Sequence, residues 1–535
     1  MNIAETLRLR ALQLGDEMAL IDFHRGTERS YSFRQFDQAT SSVAGRFRAA
    51  GLTEGDRVLI LHPVAAELYL VLVALFRIGC VAVFLDPSAG KAHIERCCAI
   101  CSPKAFFGSP RAQMLRLVIP ALRHVPKTFC PSWFPGTIRI DPNRDAIHEA
   151  AIVTLADNAP ALITFTSGST GEPKATLRTH GFLLAQHRVL ERCLALRPGA
   201  SDLTTLPVFV LANLGSGVTS VIPDADLRAP GKIDPKPVLE QIRRNGIKST
   251  AASPAFMSRI LMECEKRGTF ISELERVYLG GAPVFPGILR KTKQFCPNAT
   301  VTAVYGSTEA EPMAEVALPG ITAADFQLMR NGKGLLTGMP VPEISLRVIR
   351  DQWGKPIPAL TDDQFRRLVV APGEPGEIVV SGPHVLQGYL NAKDDTETKF
   401  DVGTSRWHRT GDLGYLDANG RLWLLGRCSA QIQDEHGTLY PFAVECAAME
   451  HESVGRAAVV SISGQRILAV ECDEPGRLAE IRRSLEWAEL HRVMAVNHLP
   501  VDKRHNAKID YVTLKRELTS RIPSRKISIS SSVDG

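Results

Sequence analysis

Short apolar runs alternate with longer amphipathic segments through much of this 535-residue chain. The runs at 58–61, 81–85, 163–165 and 301–305 are rich in Val, Ile, Leu and aromatic residues, as buried strands usually are. Segments of about ten to fifteen residues with a helical pattern separate them. This alternation predicts an α/β architecture with mainly parallel strands.

The most apolar stretch, residues 68–85, reaches the length of a membrane span only by counting across Arg77 and Gly79. A buried helix over 66–77 and a buried strand over 81–85 explain both interruptions, and Asp86-Pro87 then ends the strand. We therefore expect no membrane span.

The pattern changes after about residue 340, where short β-rich pieces are separated by turns. Asn419-Gly420 is a strong signal for a hairpin turn. A smaller α+β unit follows, and the residues from about 525 onward have the composition of a disordered tail. We predict a large N-terminal domain (1–426) of mixed α/β sheets with a β-rich subdomain, and a small, mobile α+β domain (427–535).

Composition excludes some classes of function. A net charge of +6 is mild for this length, which hints at anionic ligands but is far from the charge of a nucleic-acid-binding protein. The eleven cysteines lack paired spacing and the opening MNIAE lacks a signal-peptide pattern, so we expect a cytoplasmic protein. One histidine and three cysteines at 93–101 could form a metal site, but one helix that buries small thiols is the favoured interpretation.

A loop rich in hydroxyl groups and glycines, TFTSGSTGEPKA at 164–175, follows the apolar residues 161–163. Backbone N–H groups, hydroxyls and the ammonium of Lys174 suit the transient binding of a polyphosphate. The spacing differs from the P-loop of nucleoside triphosphatases, whose glycines are further apart. Because Pro173 disfavours helical geometry at Glu172, we expect Lys174 on an extended loop.

Three further motifs follow in order: YGSTE at 305–309, Gly-Asp at 411–412, and the lysine of RHNAKID at 508. With the loop, this set resembles the adenylate-forming superfamily of acyl-CoA synthetases, peptide-synthetase adenylation domains and luciferases. The resemblance extends over about residues 15–518. It implies that a carboxylate attacks the α-phosphorus of ATP, with Mg²⁺, to give an acyl-adenylate and pyrophosphate.

The resemblance also implies roles for individual residues in binding the nucleotide. The matched positions are Thr166, Ser167, Gly168, Ser169, Thr170, Gly171, Lys174, Gly280, Gly281, Ala282, Pro283, Tyr305, Gly306, Ser307, Thr308, Asp412, Arg427 and Lys508. Residues 166–174 would hold the β- and γ-phosphates, and residues 280–283 would line the adenine pocket. Tyr305 would stack on adenine, Asp412 would accept hydrogen bonds from the ribose, and Arg427 would lie near the ribose and phosphates at the hinge.

The same resemblance implies a catalytic set of Lys508, Thr308, Glu309 and Lys174. Thr308 and Glu309 would bind Mg²⁺, which prefers oxygen ligands. Lys508 would bridge the substrate carboxylate and the α-phosphate, where a mobile ammonium can neutralise negative charge in the transition state.

The apolar segment LPVFVLANLGSGV at 206–218 has two interpretations. It could be a plain core helix, but we favour the wall of an acyl tunnel, formed by Phe209, Val210 and Asn213 together with Gly281.

The segment after Arg427 departs from the usual family pattern. Gln433 stands near an expected lysine and Leu439 near an expected arginine, in a region that normally shapes the pantetheine channel. CoA is therefore a doubtful second substrate. This region and the RHNAKI segment resemble the branch that contains olefin-pathway β-lactone synthetases and fatty-acyl-CoA ligase-like proteins.

The leading hypothesis is activation of a hydrophobic, long-chain carboxylic acid, with β-hydroxy acids as candidates, followed by intramolecular β-lactone closure and release of AMP. One alternative is a long-chain fatty acid–CoA ligase, and another is a non-catalytic protein that binds acyl groups or nucleotides. The expected partner is a small-molecule acid, without nucleic acid. Association with other enzymes of a lipid or olefin pathway stays open.

Overall fold

A computed structural model of the chain describes residues 1–24, 27–85, 90–141, 150–167, 172–501 and 508–521. The helices in these ranges are α1 (Ile3–Gln13), α2 (Phe33–Ala49), α3 (Ala66–Arg77), α4 (Lys91–Cys101), α5 (Pro110–Met114), α6 (Pro120–Arg123), α7 (His180–Cys193), α8 (Val208–Ser216), α9 (Pro235–Arg244), α10 (Pro254–Arg267), α11 (Pro286–Phe295), α12 (Ala323–Arg330), α13 (Asp362–Leu368), α14 (Pro441–Ala448), α15 (Leu478–Ser484) and α16 (Tyr511–Thr519).

The strands in the same ranges are β1 (Met18–His24), β2 (Thr27–Ser32), β3 (Arg57–Leu61), β4 (Val81–Phe84), β5 (Ala105–Gly108), β6 (Lys127–Cys130), β7 (Ile138–Arg139), β8 (Pro160–Ser167), β9 (Pro173–Thr179), β10 (Ser201–Thr204), β11 (Thr219–Val221), β12 (Ser249–Ala252), β13 (Arg276–Leu279), β14 (Thr300–Ser307), β15 (Ala310–Ala317), β16 (Leu335–Pro340), β17 (Ser345–Ile349), β18 (Gly376–Ser381), β19 (Lys399–Val402), β20 (Ser405–Leu416), β21 (Leu422–Arg427), β22 (Ile432–Asp434), β23 (Gly437–Leu439), β24 (Val454–Ile462), β25 (Gln465–Cys472) and β26 (Arg492–Ala495).

One sheet has the strand order β7-β6-β5-β3-β4-β8-β9 and is parallel except for the final pair, β8 and β9. The predicted helix at 66–77 and strand at 81–85 are confirmed as α3 and β4. Every residue of α3 except the half-buried Glu67 is buried, because nearly all of the helix is apolar. Within the described residues, no helix combines the length and apolar character needed to cross a membrane.

A second, larger sheet has the order β17-β18-β20-β21-β16-β15-β14-β13-β12-β10-β11-β1-β2, with β19 paired to β20. Its β10–β14 portion is parallel, which confirms the predicted α/β pattern. The β-rich region after residue 340 continues this sheet through the antiparallel pair β15 and β16. The predicted Asn419-Gly420 turn joins β20 to β21, and Gly420 adopts the left-handed conformation that favours glycine (φ +78°).

The last part of the chain forms the predicted smaller α+β unit. A three-stranded sheet, β24-β25-β26, is accompanied by the short hairpin β22–β23 and by α14, α15 and α16. Helix α14 links this unit to the large sheet, because it contacts both β21 and β24. Just after α14, the carboxylate of Glu450 accepts hydrogen bonds from Arg290 (2.9 Å) and Arg330 (3.3 Å) of the larger part.

The histidine and cysteines at 93–101 lie on α4, as the favoured interpretation predicted. Cys97, Cys98 and Cys101 are buried in the core beneath that helix. Burial raises the pKa of the Cys101 thiol to about 12, which keeps it protonated and unreactive.

Candidate functional site

The hydroxyl-rich loop connects two neighbouring antiparallel strands, β8 and β9. Thr166 near the end of β8 lies directly opposite Lys174 near the start of β9. Lys174 is therefore on a strand and not on the extended loop that the sequence suggested, because the ladder continues past Pro173. Gly168, Ser169, Thr170 and Gly171, and the side chain of Ser167, lie outside the described residues.

The ammonium of Lys174 is bound to a carboxylate that the motifs did not include. Its Nζ donates a hydrogen bond to Oε2 of Glu397 at 2.5 Å and lies 5.8 Å from the ring centroid of Tyr389. The Lys174 side chain is 11% exposed, and that of Glu397 is 34% exposed. A partly buried ion pair thus stands at the base of the candidate phosphate loop.

Tyr389 also contacts the second motif. Its hydroxyl donates a hydrogen bond to Oε1 of Glu309 at 3.2 Å, and the Nζ of Lys399 lies 5.8 Å from its ring centroid. Lys399 donates to the carbonyl of Leu386, whose own N–H donates to the Glu309 carbonyl. Burial lowers the pKa of Lys399 to about 7, although the charges of Glu309 and Asp395 oppose this shift.

A buried arginine fixes the turn between β14 and β15. Arg178 on β9 donates to the hydroxyl of Thr164 (3.0 Å) and to the backbone carbonyl of Thr308 (2.8 Å). Burial lowers the pKa of Arg178, while the charges of Glu309 and Glu311 oppose that shift. Arg178 therefore ties the loop strands to the YGSTE turn and brings positive charge close to both.

The donor set at this turn fits a magnesium ion. Thr308 is exposed, and the Glu309 carboxylate is held by the Tyr389 hydroxyl, so both supply hard oxygen donors. In the part of the chain that the structure describes, no group of three or more His, Cys, Asp or Glu side chains is arranged to hold a metal. Because Mg²⁺ is usually held by one or two carboxylates with substrate phosphates, such a sparse protein set is sufficient.

A second polar cluster forms where β20, β21 and β14 meet. Asp412 lies opposite Arg427 in the β20–β21 pair, and its Oδ1 accepts a hydrogen bond from Arg427 Nη1 at 2.8 Å. Its Oδ2 accepts a hydrogen bond from the Tyr305 hydroxyl at 2.7 Å. The negative charge of Asp412 raises the pKa of Arg427, and burial raises that of Tyr305 well above its usual range.

Next to Gly306, a cavity of about 20 Å³ opens among apolar side chains. Phe209, Gly280 and Gly281 line it, together with Tyr278. At Gly281 the backbone has a φ of +77°, which disfavours any other residue. Two glycines of the predicted adenine segment therefore border an apolar space.

Two of the predicted tunnel residues on α8 do not line this cavity. Val210 is fully buried in the core that contains α3. The side-chain amide of Asn213 donates to Asp202, Thr204 and Ser220 in a buried polar network. Both positions face the core, as the plain-helix interpretation of this segment expected.

Lys508 is exposed and stands one residue before Ile509, which forms an isolated bridge with Val501. The start of α16 follows, and there the hydroxyl of Tyr511 donates to both carboxylate oxygens of Glu445 (2.8 and 3.0 Å). The backbone that carries Lys508 is therefore anchored on its C-terminal side to α14.

Four residues of this site lie outside the sequence motifs: Arg178, Tyr389, Glu397 and Lys399. The last three lie in the segment GYLNAKDDTETKF at 388–400, which follows β18 and ends in the first two residues of β19. The glycine, the aromatic residue and the many charged residues of this segment, close to a strand, could have indicated a binding site from the sequence. The sequence does not show which charged residue of this segment pairs with Lys174, because the folded chain decides that contact.

Known proteins resemble this chain along most of its length. The family described as AMP-binding enzyme matches residues 7–390. An olefin β-lactone synthetase of Stenotrophomonas maltophilia is 32% identical over 89% of this chain and 89% of its own length. An indoleacetate–CoA ligase of Aromatoleum aromaticum is 27% identical over 87% of this chain and 88% of its own.

Among solved structures, ATP-bound MatB from Rhodopseudomonas palustris has the same fold, with a TM-score of 0.78 and 20% identity, covering 97% of this chain and 100% of that one. The family match covers well over half of the chain, and the synthetase relative spans nearly all of it. The chain therefore belongs to the AMP-binding enzyme family and is an AMP-forming ligase.

Proposed function

We propose that this enzyme uses MgATP to activate a hydrophobic carboxylic acid, and that the activated acid then closes to a β-lactone. In the first step a carboxylate oxygen bonds to the α-phosphorus while the bond to the bridging oxygen breaks, which releases pyrophosphate. The observation that carries this proposal is the convergence of Lys174, Tyr389 and Glu309, which gathers a cation and an oxygen donor at the phosphate loop.

The roles of the protein groups follow from their positions. Asp412, held by Tyr305 and Arg427, would accept hydrogen bonds from the ribose, and Lys174 would neutralise the β- and γ-phosphates. Thr308 and Glu309 would hold Mg²⁺, which neutralises phosphate charge when it is bound. Lys508 would reach the reacting carboxylate as the small domain moves about a hinge near Arg427.

The second step is proposed to be intramolecular. The β-hydroxyl oxygen would attack the acyl carbon, the bond from that carbon to AMP would break, and the hydroxyl proton would leave with AMP or to water. Such an attack benefits from high effective molarity. The 32% identity to a protein named as an olefin β-lactone synthetase supports this step.

The β22–β23 hairpin also supports a step without CoA. Gln433 is exposed but uncharged, and Leu439 is buried in the C-terminal core. A basic residue from outside the hairpin, Arg466, donates two hydrogen bonds to the Asp434 carboxylate, at 2.6 and 2.7 Å. The positions expected to supply basic residues for a pantetheine channel therefore supply none.

CoA ligation is the second candidate, and the 27% identity to an indoleacetate–CoA ligase favours it. The mostly apolar surroundings of Gly281 and Phe209 are the proposed entry for the acyl chain; the cavity there has room for about one water, so it would have to widen to admit the chain. All eleven cysteines are free thiols and ten are buried, which supports a proposed cytoplasmic location.

One assay tests the proposal. The full chain is incubated with MgATP and acids of increasing length, each with and without a β-hydroxyl and with and without CoA, while pyrophosphate and AMP are measured and products identified by mass spectrometry. Acid-dependent pyrophosphate release with a β-lactone product, formed without CoA, is expected. AMP and an acyl-thioester formed only with CoA would overturn the lactone step, and no acid-dependent pyrophosphate release would overturn adenylation.

A further inference from the structure

The ion pair between Lys174 and Glu397 puts an anion on the lysine that is proposed to bind phosphate. Oε2 of Glu397, at 2.5 Å from the Lys174 Nζ, occupies a position in which a phosphate oxygen could accept the same hydrogen bond. The two residues are 223 positions apart, so the pair is made only by the tertiary fold.

Both partners stand on anchored backbone. Lys174 is fixed in the β8–β9 ladder opposite Thr166. The carbonyl of Glu397 accepts a hydrogen bond from Arg409 (3.4 Å), a fully buried arginine that also forms a two-point ion pair with Glu377. Lys174 lies on a strand and Glu397 lies in the hydrogen-bonded turn just before β19, so the fold itself brings the pair together.

We propose that Glu397 is a positioning residue that competes with pyrophosphate for Lys174. In the resting enzyme it holds the ammonium at the loop; when MgATP binds, the phosphates displace it. After adenylate forms, the carboxylate returns to the lysine and helps pyrophosphate to leave. This inference rests on the proposed function and adds a product-release role for a residue outside the loop.

The expected effect follows from mass action. An intramolecular anion lowers the affinity of every external anion that needs the same ammonium. A neutral Glu397→Gln variant should therefore bind magnesium pyrophosphate more tightly, by about fivefold, the size that a partly exposed ion pair supports. It should also show a lower KM for ATP and a lower kcat if pyrophosphate release limits turnover.

The test measures pyrophosphate affinity of the full chain by isothermal titration calorimetry with Mg²⁺ and without acid. Glu397→Gln is compared with the wild type, with Glu397→Asp, which keeps the charge and should stay near wild-type affinity, and with Glu374→Gln. Glu374 is an exposed turn residue whose neutralisation makes the same change in net charge and should leave the affinity unchanged.

A second comparison shows whether Glu397 acts through Lys174. In a Lys174→Met background, Glu397→Gln should leave pyrophosphate affinity unchanged, since the contested ammonium is gone. Equal or weaker pyrophosphate binding by Glu397→Gln would overturn the inference while acid-dependent pyrophosphate release by the wild type keeps the proposed function intact. If the wild type shows no acid-dependent pyrophosphate release, both the inference and the proposed function are overturned.

Discussion

Arg427 donates a hydrogen bond to Asp412 at 2.8 Å across the β20–β21 hairpin. The two residues face each other in the ladder at the end of β21, just before the chain enters its C-terminal unit. Tyr305 engages the other carboxylate oxygen, so Asp412 is held rigidly from two sides. A carboxylate oriented in this way is prepared to accept hydrogen bonds from a ligand without further loss of rotamer freedom.

Replacing Asp412 with alanine should weaken ATP binding by roughly tenfold or more, because a charge-assisted acceptor is lost and Arg427 loses its partner. Equilibrium titration with ATP measures this. Asp363→Ala removes an exposed carboxylate paired with Arg366 at the start of α13 and serves as the control. An ATP affinity for Asp412→Ala equal to that of the control would contradict the ribose role.

Lys508→Ala should abolish acyl-adenylate formation and leave ATP binding and folding nearly intact, because the ammonium is proposed to act in the transition state. Single-turnover pyrophosphate release measures the chemical step, and ATP titration measures binding. Lys515→Ala is the matched control, because it removes a different exposed lysine, one that lies on α16. An unchanged rate in Lys508→Ala would show that the role assigned to this lysine is wrong.

Tyr389→Phe should raise the Mg²⁺ concentration required for half-maximal activity by about two- to tenfold. The change removes only the hydroxyl that holds Glu309, and one such hydrogen bond contributes about 0.5–1.5 kcal/mol. Tyr415→Phe is the control, since its hydroxyl donates to the Lys333 carbonyl away from this turn. If both variants show the wild-type Mg²⁺ dependence, Tyr389 does not position the proposed metal ligand.

Stability should depend on pH through Glu445. Burial raises the pKa of this carboxyl to about 7 from an ordinary value of 4.5, although Tyr511 and the N–H of Val459 donate to it. Between these two values the folded state binds more protons than the unfolded state. The contribution of Glu445 to stability should therefore fall as pH rises from about 4.5 to about 7, and stay low above that.

Glu445→Gln removes the ionisation while keeping an acceptor for Tyr511. At pH 8 the free energy of unfolding of Glu445→Gln should be about 1–3 kcal/mol higher than that of the wild type. This difference should shrink as the pH falls toward 5. Denaturant unfolding across this pH range measures the effect, with exposed Glu474→Gln as the control. Parallel pH profiles for wild type and Glu445→Gln would contradict the prediction.

The sequence by itself determined the α/β class, the positions of α3 and β4, the β20–β21 turn and the family motifs. These features are local: apolar periodicity, a turn dipeptide and short loops act over a few residues. It also placed Lys174, Glu309, Asp412 and Arg427 among the candidate site residues.

Only the tertiary structure decided which groups hold those residues. Glu397 meets Lys174, Tyr389 meets Glu309 from 80 positions away, and Tyr305 meets Asp412 from 107. The same folding turned Val210 and Asn213 of α8 toward the core and left Phe209 at the cavity. Contacts at such separations depend on how strands and helices stack, and no short window of sequence carries that information.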